Sequence, residues 1–313
     1  MKKISIVVPA YNEAGNLELL YHRVMEVWPT DLQAEFIFVD DGSNDGSLQV
    51  IRALNAKDKR VRYISFSRNF GHQQALKAGI DHAYGDAVIM MDADLQHPPA
   101  LIPGMIAKWK EGNEVVYTVR KNDPSLGVVK KQTSRGFYRW MNRLSGLKLE
   151  EGTADFRLID KRVANEVRKM NDPYLFLRGL IPWMGFSQHR IEYTPEKRHS
   201  GKTKYSFFRM LKFALNGITS FSVKPLHLAT LLGLIISSLA FIYGIYAVCM
   251  YLFTDQTTTG WASTLASILF IGGIQLIILG IIGEYLGKIY MQLKQRPNYI
   301  IREASGAENE KPV

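Results

Sequence analysis

Asp92-Ala93-Asp94 closes the unbroken apolar run Ala87-Val88-Ile89-Met90-Met91, and this pair of carboxylates one residue apart is the strongest chemical signal in the chain. An apolar run of this length, bounded by turn residues, predicts a strand buried on both faces, as in a parallel sheet. Open α/β sheets bind ligands beyond the carboxyl ends of their strands. Two carboxylates at i and i+2 repel each other there unless a cation lies between them. A hard, oxygen-liking ion such as Mg²⁺ or Mn²⁺, itself holding a diphosphate, is the natural occupant. An Asp-x-Asp also suits a solvated turn capping the helix after Pro98-Pro99, but its place after a buried strand favours the metal.

The elements around it follow one alternation. Residues 4–8 form a first strand, closed by Pro9, and Leu17, Leu20, Tyr21, Val24 and Trp28 make a helical stripe over 15–28. Residues 36–39 form a second strand, followed by a helix with Leu48, Ile51 and Leu54 inward. Strands over 61–66, 87–91 and 114–119 alternate with helices over 73–83 and 101–109. Such alternation predicts an α/β fold with a mainly parallel, Rossmann-like sheet. Its strand ends would gather Pro9-Ala10-Tyr11-Asn12-Glu13, Asp40-Asp41-Gly42-Ser43 and Asp92-Ala93-Asp94 on one edge. No G-x-G-x-x-G follows the first strand and no G-x-x-x-x-G-K-[ST] occurs, so dinucleotide and P-loop sites lack their phosphate-cradling glycines. Phosphates must then be held by metal and basic side chains. Asp40 or Asp41 suits a base N–H or a ribose hydroxyl, and Tyr11 suits the flank of a base; an Asx-turn capping the next helix is the structural alternative for Asp40-Asp41.

These motifs resemble those of inverting family 2 glycosyltransferases. Ile6-Val7-Val8-Pro9-Ala10-Tyr11-Asn12-Glu13, Val39-Asp40-Asp41-Gly42-Ser43 and Asp92-Ala93-Asp94-Leu95-Gln96-His97-Pro98-Pro99 carry the resemblance. Arg68-Asn69-Phe70-Gly71-His72 is similar to a further stretch of the polyprenyl-phosphate glycosyltransferase branch, which holds the bactoprenol glucosyltransferases and dolichol-phosphate-mannose synthase. The resemblance implies a GT-A fold, a nucleotide-sugar donor and a divalent metal. It implies a nucleoside pocket at Pro9, Ala10, Tyr11, Glu13 and Asp40, with Asp41 beside it. Asp92, Ala93, Asp94 and Gln96 would hold metal and diphosphate, with Asp92 and Asp94 as the metal ligands.

Arg120, Lys121, Lys130, Lys131, Ser134, Arg135 and Arg139 crowd a loop and the helix after it, and a helix start with Arg, Lys and Ser is a ready anion site. By the resemblance, Arg120, Lys130 and Ser134 would bind the acceptor phosphate; a solvated basic face is the alternative. Asp155 resembles the family's acidic residue. Whether it acts as a base stays open, because a phosphate monoester acceptor has a second pKa near ~6 and is largely a dianionic nucleophile already. Arg198-His199-Ser200-Gly201-Lys202-Thr203-Lys204 is expected as a basic lid whose Arg198 and Lys204 neutralise the leaving group. His72, His97, His189 and His227 show no zinc spacing and are expected as hydrogen-bonding or surface residues, with His97 near the site by adjacency.

The chain has 313 residues, a formal charge of +10 and a single cysteine, Cys249. No nucleic-acid motif accompanies the charge, and an anionic membrane surface is the better partner. The start, Met1-Lys2-Lys3, runs into a strand and is not expected to be a signal peptide. Phe207, Leu211, Leu215 and Ile218 predict an interfacial amphipathic helix. Two apolar segments, about 228–253 and 262–286, are long enough to span a bilayer, the first free of charge and the second free of charge up to Gly283, with Glu284 at its inner end. Lys224 before the first and Lys288, Lys294 and Arg296 after the second place both termini and the catalytic domain in the cytoplasm by the positive-inside rule. The expected organisation is a catalytic domain over 1–204, a juxtamembrane helix over 205–224, two spans within 225–288 and a tail over 289–313, disordered from Ala304. Gly272, Gly273, Gly280, Gly283 and Gly287 suit close helix packing, and a homo-oligomer is compatible with them. Two spans point to a lipid phosphate acceptor. The expected reaction moves a hexose from a nucleotide sugar to polyprenyl phosphate with inversion. By resemblance the donor is UDP-glucose, with GDP-mannose next. A polysaccharide synthase or a non-catalytic nucleotide-binding adaptor fits less well.

Overall fold

The structure, a computed structural model, describes residues 1–121, 142–143, 150, 152–194, 219, 222–253 and 260–305. Its larger unit is built on an eight-stranded sheet in the order β7-β5-β6-β4-β1-β2-β3-β8. The strands are β1 (Lys3–Ala10), β2 (Gln33–Asp40), β3 (Val61–Phe66), β4 (Ala87–Met90), β5 (Val115–Arg120), β6 (Thr153–Asp160), β7 (Gln188–Tyr193) and β8 (Ile301–Ala304). Pairings β1–β2, β1–β4, β2–β3 and β5–β7 are parallel. Strand β6 runs antiparallel to both β4 and β5, and β8 runs antiparallel to β3. The sheet is the Rossmann-like α/β type that the alternation predicts, with the GT-A architecture that the resemblance implies.

Period-two side-chain alternation divides each central strand between two cores. On one face Ile4, Ile6, Val8, Phe36 and Phe38 pack with Leu17, Leu20 and Val24 of α1 (Ala14–Glu26), Ile51 of α2 (Ser47–Lys57) and Met105 and Trp109 of α4 (Ile102–Lys110). On the other, Val7, Ile37, Val39 and Val88 pack with Leu76 and Ile80 of α3 (His72–Asp81) and Val163 and Val167 of α5 (Lys161–Lys169). Leu177 and Ile181 of α6 (Leu177–Trp183) join this second layer. Strands covered on both faces explain the continuous apolar runs. Helix α3 lies close on β1: a Cβ on Gly79 would stand 2.1 Å from Val7 Cγ1, so only glycine fits there.

The chain divides into two compact units. One holds Met1–Asn142, Leu147–Leu211 and Pro297–Val313, and the other Arg143–Gly146 and Lys212–Arg296. The second carries α7 (Lys224–Phe253) and α8 (Trp261–Leu293), of mean hydropathy 2.2 and 2.5 over their apolar stretches and almost wholly exposed. At 1.5 Å per residue each exceeds the ~30 Å of a hydrocarbon core. Both are long and apolar enough to cross a membrane, and both run past the expected limits. The stretch 289–313, expected as a tail, instead contributes β8 to the catalytic sheet: Ile301–Ala304 pairs with the free edge of β3. Four residues carry too little periodicity for that to be read in advance. The expected amphipathic helix and the turn between the spans lie outside the described residues, apart from Thr219 and Ser222 to Lys224 and from Gly260.

Candidate active site

Strand direction assembles the site. Strands β1, β2, β3 and β4 are mutually parallel, so residues 10–13, 40–43, 67–72 and 91–97 emerge on one edge. Strand β6 is antiparallel to β4 with Ala87 opposite Asp160 and Met90 opposite Arg157. Continuing that register carries Asp155 opposite Asp92, so β6 enters the sheet at the edge where β4 leaves it. Strand β5 ends on the same edge with Arg120.

The nucleoside side is a set of interlocked loops. Ala10 pairs with Asp40, and Asp41 N donates to Ala10 O at 2.9 Å. Asn12, at φ 58°, donates from its backbone to Ser43 Oγ at 3.0 Å and accepts at Oδ1 from Asn44 N at 2.8 Å. Glu13 N donates to Ser47 Oγ at 2.9 Å, while its carboxylate accepts from Asn16 Nδ2 at 2.5 Å. Asp40 is fully buried and accepts from Ser43 N at 3.1 Å and Ser65 Oγ at 2.8 Å. Asp41 turns to the neighbouring loop and accepts from Phe70 N at 2.6 Å and Gly71 N at 3.0 Å. Burial pushes its carboxyl up, against those two amides. Gly42, at φ 69°, lets the chain pass so near Arg68 that a Cβ would lie 2.6 Å from its carbonyl carbon. Tyr11 is 44% exposed, an open aromatic face beside these loops. The side chains of Ala10 and Ala93 belong to the core, so these two residues offer the site only backbone.

The carboxylate side centres on Asp92. Its backbone N–H donates to His97 Nδ1 at 3.1 Å, and the buried His97 ring stacks on Phe156 at 5.1 Å. Asp92 Oδ1 is buried and has no hydrogen-bond partner among the described residues, with His72 Nε2 3.3 Å away. Asp94 Oδ1 accepts from Gln96 N at 3.1 Å, across a turn in which Leu95 takes φ 62°. Gln96 Oε1 in turn accepts from Arg120 Nη2 at 2.9 Å, tying the Asp-x-Asp loop to the end of β5.

Asp155, 3% exposed, is gripped by both arms of Arg178, Nε to Oδ1 and Nη2 to Oδ2, each at 2.8 Å. His72 Nε2 stands 3.4 Å from its Oδ2. Burial alone would raise the Asp155 carboxyl, but Arg178 and His72 hold it well below the ordinary carboxylate range. His72 itself, disfavoured as a cation by burial, is pushed up to about 9 by Asp92 and Asp155. Beneath them Arg157 is fully buried, donates to Ala154 O at 3.0 Å and is lowered to about 10 by burial.

Of the expected site residues, Asp40, Asp92, Asp94, Gln96, Arg120 and Asp155 share this edge with the loops carrying Pro9, Tyr11 and Glu13. Lys130, Ser134, Arg198 and Lys204 lie outside the described residues. His72, expected as a hydrogen-bonding or surface residue, lies between two site carboxylates. It opens the helix after β3, so the strand-end logic that singles out Asp92 also reaches it. Arg178 had no signal: nothing local to an isolated arginine on a short helix marks it as partner to a carboxylate on another element.

The donor set fits a hard divalent cation. Carboxylate oxygens are its preferred ligands, and the buried Oδ1 of Asp92 accepts no hydrogen bond among the described residues, its charged neighbour being His72 Nε2 at 3.3 Å. No group of three metal-type side chains occurs among the described residues. Mg²⁺ commonly takes one or two carboxylates and completes its shell with substrate phosphate and water.

Comparison with known proteins gives matches over both parts of the chain. The model of glycosyl transferase family 2 matches residues 5–168, and that of the GtrB C-terminal hairpin matches residues 224–289. The chain is 46% identical over 308 residues to an uncharacterized glycosyltransferase, YkcC, of Bacillus subtilis, covering 98% of this chain and 95% of that one. It is 40% identical over 301 residues to a prophage bactoprenol glucosyl transferase homolog of Escherichia coli, covering 96% and 98%. It is also 40% identical over 303 residues to the SfII prophage-derived bactoprenol glucosyl transferase of Shigella flexneri, again covering 96% and 98%.

Proposed function

The chain belongs to glycosyl transferase family 2, and on that premise we propose that it transfers glucose from UDP-glucose to a polyprenyl phosphate, with inversion, at the cytoplasmic leaflet. One observation carries this reading. An edge of acidic loops without a phosphate-binding glycine loop occurs in the same chain as two helices fit to cross a membrane. The naming of the Escherichia coli and Shigella flexneri relatives as bactoprenol glucosyl transferases supports the sugar and the lipid.

Tyr11 and Asp40 receive the nucleoside, with the backbone of Pro9 and Ala10 as its floor and Glu13 steadying the loop. Asp92 and Asp94 would hold the divalent ion, which would supply neutralising charge at the diphosphate. Gln96 and Arg120 close the same side, and Arg120 reaches toward the acceptor phosphate together with Lys130 and Ser134. A phosphate oxygen attacks the anomeric carbon from the face opposite the nucleotide. The new C–O bond forms as the bond to UDP breaks, and the electron pair leaves with UDP, where Arg198 and Lys204 offset its charge. Asp155, kept ionised by Arg178, acts as a fixed anion that holds His72 and Arg178 in place rather than as the base. The dianionic acceptor needs positioning and leaving-group stabilisation more than deprotonation.

The test is incubation of the purified protein in lipid nanodiscs with radiolabelled UDP-glucose, undecaprenyl phosphate and Mg²⁺. Label should enter the organic phase as one lipid-linked monosaccharide. GDP-mannose run in parallel should give none. Label only from GDP-mannose would change the sugar, a growing polymer would make the protein a polysaccharide synthase, and no product from any donor would sink the assignment.

A further inference from the structure

The segment after α8 is attached to the catalytic sheet by more than strand pairing. Tyr299 stacks on Phe66 at 5.1 Å and donates to Asp81 Oδ2 at 2.9 Å. Ser67 N donates to Ile300 O at 3.0 Å, and Tyr63 N donates to Ser305 Oγ at 2.7 Å. Arg52 forks onto Glu303 at 2.9 and 2.6 Å. None of these attachments uses Arg302.

Arg302 Nη2 instead donates to Ser65 Oγ at 3.3 Å, and Ser65 Oγ donates to Asp40 Oδ2 at 2.8 Å. Ser65 stands opposite Asp40 on one side and Glu303 on the other, and the irregularity of the β3–β8 register between Ser65 and Phe66 leaves Arg302 as the extra residue beside Ser65. A hydroxyl has one proton and two lone pairs. A guanidinium has only donors, so it takes a lone pair of Ser65 and leaves the hydroxyl proton directed to Asp40. Ser65 and Asp40 are both fully buried, where water cannot substitute for a misdirected hydroxyl. Asp40 is thereby held at Oδ2 by Ser65 and at Oδ1 by Ser43 N.

We propose that Arg302 is a positioning residue for the nucleotide, acting through Ser65 on Asp40, so that the segment returning after the second apolar helix sets donor affinity. This rests on the reading of Asp40 as a nucleoside contact. A relay of this kind affects nucleotide binding and leaves the chemical step alone.

The test uses the full chain in nanodiscs, with UDP affinity by calorimetry and steady-state kinetics with UDP-glucose. Arg302→Ala should weaken UDP binding and raise the UDP-glucose KM roughly three- to ten-fold, the range that one hydrogen bond spans, with kcat within about two-fold. Arg302→Lys, which keeps a cationic donor, should recover most of that loss. Ser65→Ala should match Arg302→Ala, and the double variant should be no worse than either, because both break one relay. Arg52→Ala should lower Tm yet leave UDP affinity within about two-fold. The relay is overturned if Arg302→Ala binds UDP as the wild type does, if the two substitutions add, or if Arg52→Ala weakens UDP equally. A wild-type protein that binds no nucleoside diphosphate would overturn the nucleotide site itself, and the relay with it.

Discussion

Asp155 shows how a partner decides what a carboxylate can do. A lone buried aspartate would be raised and suited to accept a proton, but the Arg178 fork keeps this one ionised far below neutral pH. The wild-type rate should therefore rise with the second ionisation of the acceptor phosphate, near ~6, and stay level up to the titration of His72 at about 9, with no limb from Asp155. Asp155→Asn leaves Arg178 facing an uncharged amide, so the main loss should be roughly 3 kcal/mol of stability, read as a lower Tm. Folded variant should still turn over above about pH 7. A fall of several orders of magnitude in kcat, with folding and substrate binding intact, would make Asp155 an obligate base. The neighbouring pair gives the opposite expectation. Asp94→Ala, or EDTA on the wild type, should abolish turnover while leaving Tm nearly unchanged, and full activity in either condition would remove the metal from the proposed mechanism.

At the scale of elements, the beginnings of the strands are held as firmly as their ends. Glu35 of β2 is buried and takes Ser5 Oγ at 2.5 Å, Lys3 Nζ and Arg62 Nη1 at 3.0 Å, and Tyr84 N at 3.1 Å. It thus joins β1, β2, β3 and the loop before β4. Burial works to raise its carboxyl, but these donors together hold it below its ordinary value. A depressed carboxyl stabilises the fold fully above its unfolded value, about 4.3, and loses that contribution as pH falls through the lower folded value. Glu35→Gln should cost roughly 3 kcal/mol at pH 7 and flatten the acid side of the Tm–pH curve. An unchanged acid side would show that other carboxylates govern it. Gly79→Ala should also lower Tm, by an overpacking penalty of about 1–3 kcal/mol, because Val7 already fills the space of the new methyl.

For the whole molecule, the proposed orientation puts both termini inside the cell, where nucleotide sugars are made. With Cys249 replaced by alanine, a cysteine at Thr258 should react with an impermeant thiol reagent on intact cells. A cysteine at Ala307 should react only after lysis. The reverse pattern would put the catalytic unit on the outer side and remove its donor supply. The return of the chain to the sheet through β8 adds a constraint of its own: the catalytic unit contains residues from both sides of the apolar hairpin. If both apolar helices cross the bilayer, these two segments lie on one side of it, as an even number of spans requires.

The residue order alone determined the strand–helix alternation, the acidic strand ends and the two apolar helices. Each is a local pattern: a buried run before Asp92, a helical stripe through Leu17, Leu20 and Val24, a long charge-free stretch from Leu228. Parallel strands then force the ends of β1, β2 and β4 onto one edge, so Asp40 and Asp92 were legible as neighbours. The tertiary structure alone decided what no local pattern encodes. The antiparallel entry of β6 sets Asp155 opposite Asp92, and Arg178 reaches it from a helix more than twenty positions away. Asp41, a ligand candidate by its place at a strand end, also accepts from the amides of Phe70 and Gly71, a contact between loops that no local pattern encodes. Strand β8 has four residues, too few to show a period, and needs the exposed edge of β3 to become a strand at all. Periodicity records which side of an element is buried, whereas partners across the fold are chosen by register and burial, and those exist only once the sheet has closed around them.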